Sequence, residues 1–366
     1  MIFKNKRRLN KYCQRFILKY YKSNIKFFYS STLTISFYDI QHLKFIFFRL
    51  SRLILGDKRL SGMSTLLFIF NPSSIFFNTL YSESLFSLLT FTSFYKFFNS
   101  LSVFHPLQSP MKFLYNLIIP LTFLLLSIFV RSNGMFYVAV IGYYVLKNFI
   151  FSFVRVSVMK SIFFLGLGVS LIFLVIIPYF LVLYYPYSIY CNKAFEMKTP
   201  KWCYERVPNV YDFIQKEYWG VSFMGSWEIN GGIFIYWGIH MLIIISILLY
   251  SFFKHSWKCF FTLGLWEKDA VKVGRKNGII YNEKWNPFII YTIILFLISF
   301  FYANIMSCTR FFSSCPTVYW YLSSIILRWN EEGKKWEMSG SKRVFMLCIH
   351  FNMFGMLFFA NFLPWT

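Results

Sequence analysis

Four short clusters able to do chemistry interrupt an otherwise very apolar chain of 366 residues: "YSES" at 81–84, "RSNG" at 131–134, the segment 187–230, and "CTRFF" at 308–312. Glu83 supplies a carboxylate, which can bind a hydroxyl or take its proton as a general base. Arg131 and Arg310 supply guanidinium forks, which stay charged and pair phosphate oxygens two at a time. Asn133, beside Ser132, adds hydrogen-bonding groups, and Gly134 permits close backbone approach. Tyr218 and Trp219, in "YDFIQKEYWG", add rings that can stack on a sugar, as do Trp202 and Trp227 in the same segment.

Each of these residues also has a plainer reading. Glu83 suits a first-turn acid of a helix at the membrane interface. An Arg at a helix end reaches the headgroups along its own apolar stem. Tyr and Trp anchor proteins at the water–membrane boundary, and residues 211–219 have the pattern of an amphipathic interfacial helix. Pro72, in "NPSSIFFNTLYSES", favours the cavity reading of Glu83, because it interrupts a helix and freed backbone at membrane depth needs protein or water to satisfy it.

Other chemistries lack their residues. The chain has no Walker A sequence, no G-x-S-x-G and no G-x-G-x-x-G, so ATP-driven transport and serine hydrolysis lose their support. The five His residues and seven Cys residues show no ligand spacing, so neither a metal nor a cofactor is expected. Cys191 and Cys203 share one loop and can pair in an oxidising lumen.

The elements that must position these groups are membrane spans. The chain is 57% hydrophobic, too apolar for an ordinary soluble domain, and its apolar residues fall in long runs. A helix needs roughly 20 apolar residues to cross the hydrocarbon. Candidate runs lie at 45–55 (short), 64–80, 81–98, 112–130, 135–151, 160–185, 231–252, 287–306, 308–327 and 344–363, of which eight or nine qualify. The fold class is therefore an all-α polytopic membrane protein, with residues 1–44 as a basic N-terminal segment, amphipathic or without fixed structure, and 45–366 as the membrane domain. The first residues lack the apolar core of a cleavable signal peptide.

The formal net charge of +24 comes from Lys and Arg lying between the spans, with no nucleic-acid-binding motif to organise them. An anionic cytoplasmic leaflet explains them better. Loops 253–286 (seven basic, three acidic) and 328–343 (five basic, three acidic) carry the excess and are assigned to the cytoplasm. The balanced loop 187–230, with five of each, goes to the opposite side. Alternation of spans then gathers all four polar clusters on one face. A buried charge at membrane depth is costly and faces a protein interior or an aqueous cavity, so four clusters on one face imply one site.

"FNPSSIFFNTLYSESLFSLLTF", "VRSNGM", "PKWCYERVPNVYDFIQKEYWGVSFMGSWE", "WKCFFTLGL", "TRFFSSCPTVYW" and the terminal "NFLPWT" occur in the order and approximate spacing of the GPI mannosyltransferase 2 family, which residues 60–366 resemble. The resemblance implies a GT-C-type glycosyltransferase bundle in the endoplasmic reticulum membrane, with its active face luminal. It implies transfer of the second mannose, in α-1,6 linkage, from dolichyl-phosphate-mannose to the first mannose of the GPI precursor glycolipid. The donor is β-linked and the product α-linked, so the reaction would invert. Under that resemblance Glu83 would be an acceptor-hydroxyl ligand or surrogate base, Arg131 and Arg310 would hold the donor phosphate, and Asn133, Tyr218 and Trp219 would contact sugars. A one-phosphate leaving group makes a metal dispensable, and a small accessory membrane subunit is left open as a partner.

The chain departs from the family at one place. The family carries a Trp-Asp-containing first luminal loop, where its catalytic base is expected, whereas this chain has no Trp before Trp202 and only Asp39 and Asp57 ahead of Glu83. The first third of the family pattern is thus expected to be missing, with residues 1–44 in its place. Truncation, divergence and loss of activity each account for that, so an inactive relic or subunit stands as the alternative. A multi-span lipid or solute transporter is a weaker one, since no internal repeat is visible.

Overall fold

The computed structural model describes residues 41–79, 81–103, 110–191, 200–219, 221–228, 232–265, 283–303, 305–331 and a few positions between 346 and 357. Helix α1 spans 41–55 and is a core element, although the sequence reading gave its start to the basic N-terminal segment. Leu43, Phe47, Leu50 and Ile54 recur at helical spacing and are at most 1% exposed. Arg49 and Arg52 lie exposed on the opposite face and shorten the apolar run that hydropathy can see.

Gly56, at φ +72°, turns the chain into α2 (Lys58–Ile69). Asp57 caps that helix, its Oδ1 accepting from Arg59 N at 2.6 Å and Leu60 N at 3.1 Å. The run 64–80 is not one span. Asn71 and Pro72 end it: the Asn71 side chain donates to the Phe68 carbonyl (2.7 Å) and accepts from Ser73 N (2.8 Å), which satisfies backbone that the proline frees. A five-residue helix, α3 (Ser74–Asn78), follows, and then α4 (Glu83–Val103).

Next come α5 (Pro110–Val130), a 3-10 turn (Ser132–Tyr137), α6 (Val138–Arg155) and α7 (Val158–Tyr190). At ~1.5 Å per residue, α7 is about 50 Å long and outreaches the hydrocarbon core. Its outer face, including Ile162, Ile172, Phe173 and Phe180, is exposed as a lipid-facing helix should be. Helix α8 (Val210–Trp219) sits in the following loop, after a 3-10 turn at Lys201–Tyr204. Helix α9 (Gly225–Glu228) leads into α10 (Gly232–Phe261), which runs nine residues past the expected span. Helix α11 (Asn286–Phe301) follows. The run 308–327 then divides into α12 (Cys308–Ser313) and α13 (Pro316–Glu331), because Pro316 begins a new helix. The run 344–363 lies largely outside the described residues.

No strand occurs among the described residues, and five of their helical stretches are long and apolar enough to cross a membrane: 110–130, 132–155, 158–190, 238–261 and 283–301. The chain is an all-α polytopic membrane protein. In lipid, apolar burial does not drive helices together, so packing shape and interhelical hydrogen bonds must. The core supplies both. Ser64 meets Ser323 (2.8 Å) between α2 and α13, Thr292 meets Thr317 (2.8 Å) between α11 and α13, and Trp320 Nε1 donates to Ser51 Oγ (2.8 Å). Aromatic rings fill the space between, with Tyr137 stacked on Tyr291 at 3.9 Å.

Helix direction alternates, so the start of α4 and the ends of α5, α7 and α11 share one end of the bundle with α12. The opposite end is tied by the Lys147–Glu283 ion pair and by Lys284 Nζ donating to the Leu53 carbonyl at 3.2 Å. Close approach at the first end depends on Gly238 in α10. A Cβ there would lie 2.0 Å from the Ile305 carbonyl oxygen, which is backbone and cannot swing aside. Gly238→Ala is expected to cost at least about 1–3 kcal/mol through overpacking, read as a lower unfolding temperature of the purified protein in detergent.

Candidate active site

At the shared end, one carboxylate holds two guanidinium groups. Glu83 opens α4 and is 2% exposed. Its Oε1 accepts from Arg131 Nη1 at 2.6 Å, from Arg310 Nε at 2.7 Å and also from Arg310 Nη2. These bonds join α4 to the end of α5 and to α12, which is 227 residues away in sequence. A buried carboxylate is tolerable when paired and costly when not, and the helix N-terminus adds favourable partial charge. One acid and two Arg leave a net +1. Both Arg side chains keep some exposure, 17% for Arg131 and 25% for Arg310, so that charge is presented outward.

The broken element after α2 explains the aim of Arg310. Its guanidinium lies over the Phe76 ring at 4.4 Å and near the Tyr81 ring at 5.3 Å, both supplied by residues 71–83. Arg131 lies over Phe86 at 5.8 Å. The turn "RSNG" is held against the end of α5 by Gly134, where a Cβ would meet Ser127 Oγ at 2.9 Å and Ile128 N at 3.1 Å. Gly134 N donates to the Arg131 carbonyl (2.9 Å), which closes the turn and carries Asn133 inward.

A cleft of about 420 Å³ opens beside this cluster. Arg131, Asn133 and Arg310 give it polar lining, with Ser307, Tyr211 and Gln215. Apolar residues near the ends of α5 and α7, among them Phe129, Tyr179 and Leu183, line it as well. Asn133 is 6% exposed, and its Oδ1 is buried with no hydrogen-bond partner among the described residues, so it offers an acceptor to an incoming hydroxyl. Glu83 is not part of the lining; its Oε2 is buried without a hydrogen-bond partner among the described residues.

The structure therefore brings together Glu83, Arg131, Asn133 and Arg310. It does not bring Tyr218 to the cleft, for that ring is 69% exposed. The Trp219 side chain lies outside the described residues. Trp202 is 4% exposed, and Trp227 packs against Phe300 and donates its Nε1 to the Phe300 carbonyl (2.9 Å), so both are anchors of the loop. Sequence reasoning missed Tyr211 and Gln215, which face the cleft one helical turn apart in α8. Their i, i+4 spacing was the available signal.

A disulfide joins Cys191 to Cys203, with Cα atoms 5.5 Å apart. It fastens the turn preceding α8 to the end of α7, and the Tyr211 hydroxyl lies 3.2 Å from Ser132 Oγ across the cleft mouth.

With this geometry in place, comparison with known proteins decides the family. Residues 24–366 match the model of the family described as mannosyltransferase (PIG-V). The chain belongs to that family. The match begins ahead of residue 60, where the recognisable sequence blocks begin, and so takes in α1 and α2. GPI mannosyltransferase 2 of Drosophila pseudoobscura pseudoobscura is 23% identical over 352 residues, covering 88% of this chain and 71% of that protein. GPI alpha-1,6-mannosyltransferase 2 of Homo sapiens is 24% identical over 320 residues, covering 79% and 62%. GPI mannosyltransferase 2 of Candida albicans is 25% identical over 311 residues, covering 84% and 67%. The chain thus spans less than two thirds of the human protein's length. No solved structure matches.

Removing the shared anion should loosen the cluster. Glu83→Gln is expected to cost roughly 2–5 kcal/mol, because it strands two partly buried guanidinium groups, with a matching fall in unfolding temperature. Cys203→Ser should leave the transmembrane helices folded yet free α8, seen as faster amide exchange in residues 210–219 alone.

Proposed function

We propose that this PIG-V-family chain transfers mannose from dolichyl-phosphate-mannose to the first mannose of the GPI precursor, in α-1,6 linkage, at the luminal leaflet of the endoplasmic reticulum membrane. The observation that carries the reading is the pair of guanidinium groups, held by one buried carboxylate and lining a cleft that polar and apolar residues share. A lipid phosphate needs both kinds of lining at once. The names of the fly, human and yeast relatives support the mannosyl transfer, and the disulfide supports an oxidising lumen on this side of the membrane.

In the transfer, the acceptor hydroxyl oxygen bonds to the anomeric carbon from the face opposite the phosphate, and the bond from that carbon to the phosphate oxygen breaks. Negative charge grows on the departing phosphate. Arg131 and Arg310 are placed to stabilise it, and a preorganised cation in a site largely closed to water is worth more than the same cation in solution. Because the guanidinium groups supply this charge and the leaving group carries one phosphate, the reaction needs no metal ion. Asn133 Oδ1 orients a sugar hydroxyl. Glu83 serves as the positioning residue for the two Arg groups; its Oε1 is fully engaged and it lies behind the cleft wall. The products are the α-1,6-linked mannoside, the polyprenyl monophosphate and the acceptor's proton.

The test is restoration of surface GPI-anchored proteins in cells that lack the second-mannose enzyme. Arg131→Ala and Arg310→Ala should each cut mannose transfer on the order of 100-fold and accumulate the one-mannose precursor. Normal surface levels with both variants, at matched expression, would contradict the proposal.

A further inference from the structure

Arg310 rides on α12, which is six residues long. A helix that short is not stable by itself, so its backbone must be held by its neighbours. The last carbonyls of a helix lack partners within it, and side-chain hydroxyls supply several of them at α12. The Arg310 carbonyl accepts from Ser313 Oγ at 2.6 Å, a local bond. The Ser313 carbonyl accepts from the Tyr319 hydroxyl at 2.7 Å, from the start of α13. The Ser314 carbonyl, at the C-cap, accepts from the Tyr137 hydroxyl at 2.7 Å, and this donor is 177 residues away in sequence.

Tyr137 is the last residue of the 3-10 turn whose N-cap is Arg131. One hydrogen bond therefore ties the turn that carries Arg131 to the helix that carries Arg310. The ring is fully buried, stacked on Tyr291 of α11 at 3.9 Å and tilted against Phe86 and Phe94 of α4 at 5.7 Å and 5.0 Å. Phe86 is also the ring beneath Arg131. The phenol thus touches each segment that brings a charged group to the site, yet it is not among the described residues that line the cleft. The other buried hydrogen bonds between helices, such as Ser64 to Ser323, join one long helix to another. Tyr137 instead joins the two irregular pieces.

We propose that the Tyr137 hydroxyl is a positioning residue for mannose transfer, which locks α12 to the Arg131 turn at the backbone while Glu83 joins the two Arg residues at their guanidinium groups. The inference rests on the transfer reading above and adds how the spacing of the two cations is kept. An Arg side chain has several rotatable bonds. With Glu83 alone, α12 could shift while the tip of Arg310 stayed bonded, and different N–H groups would then face the cleft. Fixing the backbone as well as the tip removes that freedom. The "RSNG" turn is already closed by the bond from Gly134 N to the Arg131 carbonyl, so α12 is the piece that Tyr137 restrains and Arg310 is the group it acts through.

The test uses the full chain in nanodiscs with dolichyl-phosphate-mannose as donor. Tyr137→Phe keeps the ring and its stack on Tyr291 and removes only the hydroxyl. It should lower the rate of mannose transfer about tenfold, as a small misplacement of a charged group does, and mainly in kcat, because the charge on the phosphate grows in the transition state. In an Arg310→Ala chain the same change should cost no more than about twofold, since α12 then has no guanidinium to aim. Tyr137→para-aminophenylalanine restores an N–H donor and should recover most of the rate. Ser64→Ala removes the hydrogen bond between α2 and α13 and should leave the rate unchanged. A tenfold loss in both Arg310 backgrounds, an unchanged kcat in Tyr137→Phe, or a Tyr137→Phe chain that does not fold would each overturn the proposal.

A second readout does not need turnover. Tyr137→Phe should speed amide exchange in residues 308–314 and leave α7 as it was. No change at 308–314, or faster exchange across the whole bundle, would overturn the proposal as well. Faster exchange at 308–314 alone, in a protein whose unaltered form moves no mannose, would keep the lock and sink the transfer reading. Mannose transfer that Tyr137→Phe does not slow would do the reverse.

Discussion

A carboxylate kept at 2% exposure inside a membrane bundle must be paired, and the whole active end follows from how Glu83 is paired. Its single oxygen Oε1 gathers Arg131 from the end of α5 and Arg310 from α12, so three segments distant in sequence meet at one atom. The pairing fixes the direction of both guanidinium groups and leaves one positive charge in excess. A phosphate-bearing substrate then finds cations whose positions are already set, which is what stabilising a departing phosphate demands.

The surrounding fold serves that arrangement by giving up regularity where it matters. The break at Asn71–Pro72 costs a span but delivers Phe76 and Tyr81 to flank Arg310. The break before Pro316 frees α12 as a short, separately aimed helix. Gly134 and Gly238 allow backbone contacts that any Cβ would prevent, and so bring the "RSNG" turn and the Ile305–Ser307 turn close to their neighbours. Away from this end, helices are long, and serine, threonine and tryptophan hydrogen bonds hold them in register.

Much of this was legible in the sequence because ionisable residues are expensive in lipid. Glu83, Arg131 and Arg310 stood out against apolar runs, and Pro72 announced the break beside the first of them. Their mutual contact was not legible. Local spacing carries no information about a pair 227 residues apart, so the carboxylate and the guanidinium groups were read separately, one toward a sugar and the others toward a phosphate, and the bonds from both Arg residues to Glu83 stayed hidden. Helix α1 was legible only as the short run 45–55, with its start given to the basic N-terminal segment, because Arg49 and Arg52 dilute its hydropathy although its buried face is regular. Tyr218 drew attention as a large ring yet stays exposed, while the i, i+4 pair Tyr211 and Gln215 reached the cleft.

The central claim is that Glu83 aims the two guanidinium groups and does not merely neutralise them. Binding of a polyprenyl monophosphate to the purified chain in nanodiscs separates these roles, because Glu83→Gln raises the net charge of the cluster from +1 to +2. If aim governs, Glu83→Gln weakens binding by about tenfold, as does Arg310→Gln, since a fork that loses its orientation loses its paired hydrogen bonds. If charge alone governs, Glu83→Gln binds the phosphate more tightly than the unaltered protein, and that result would contradict the account.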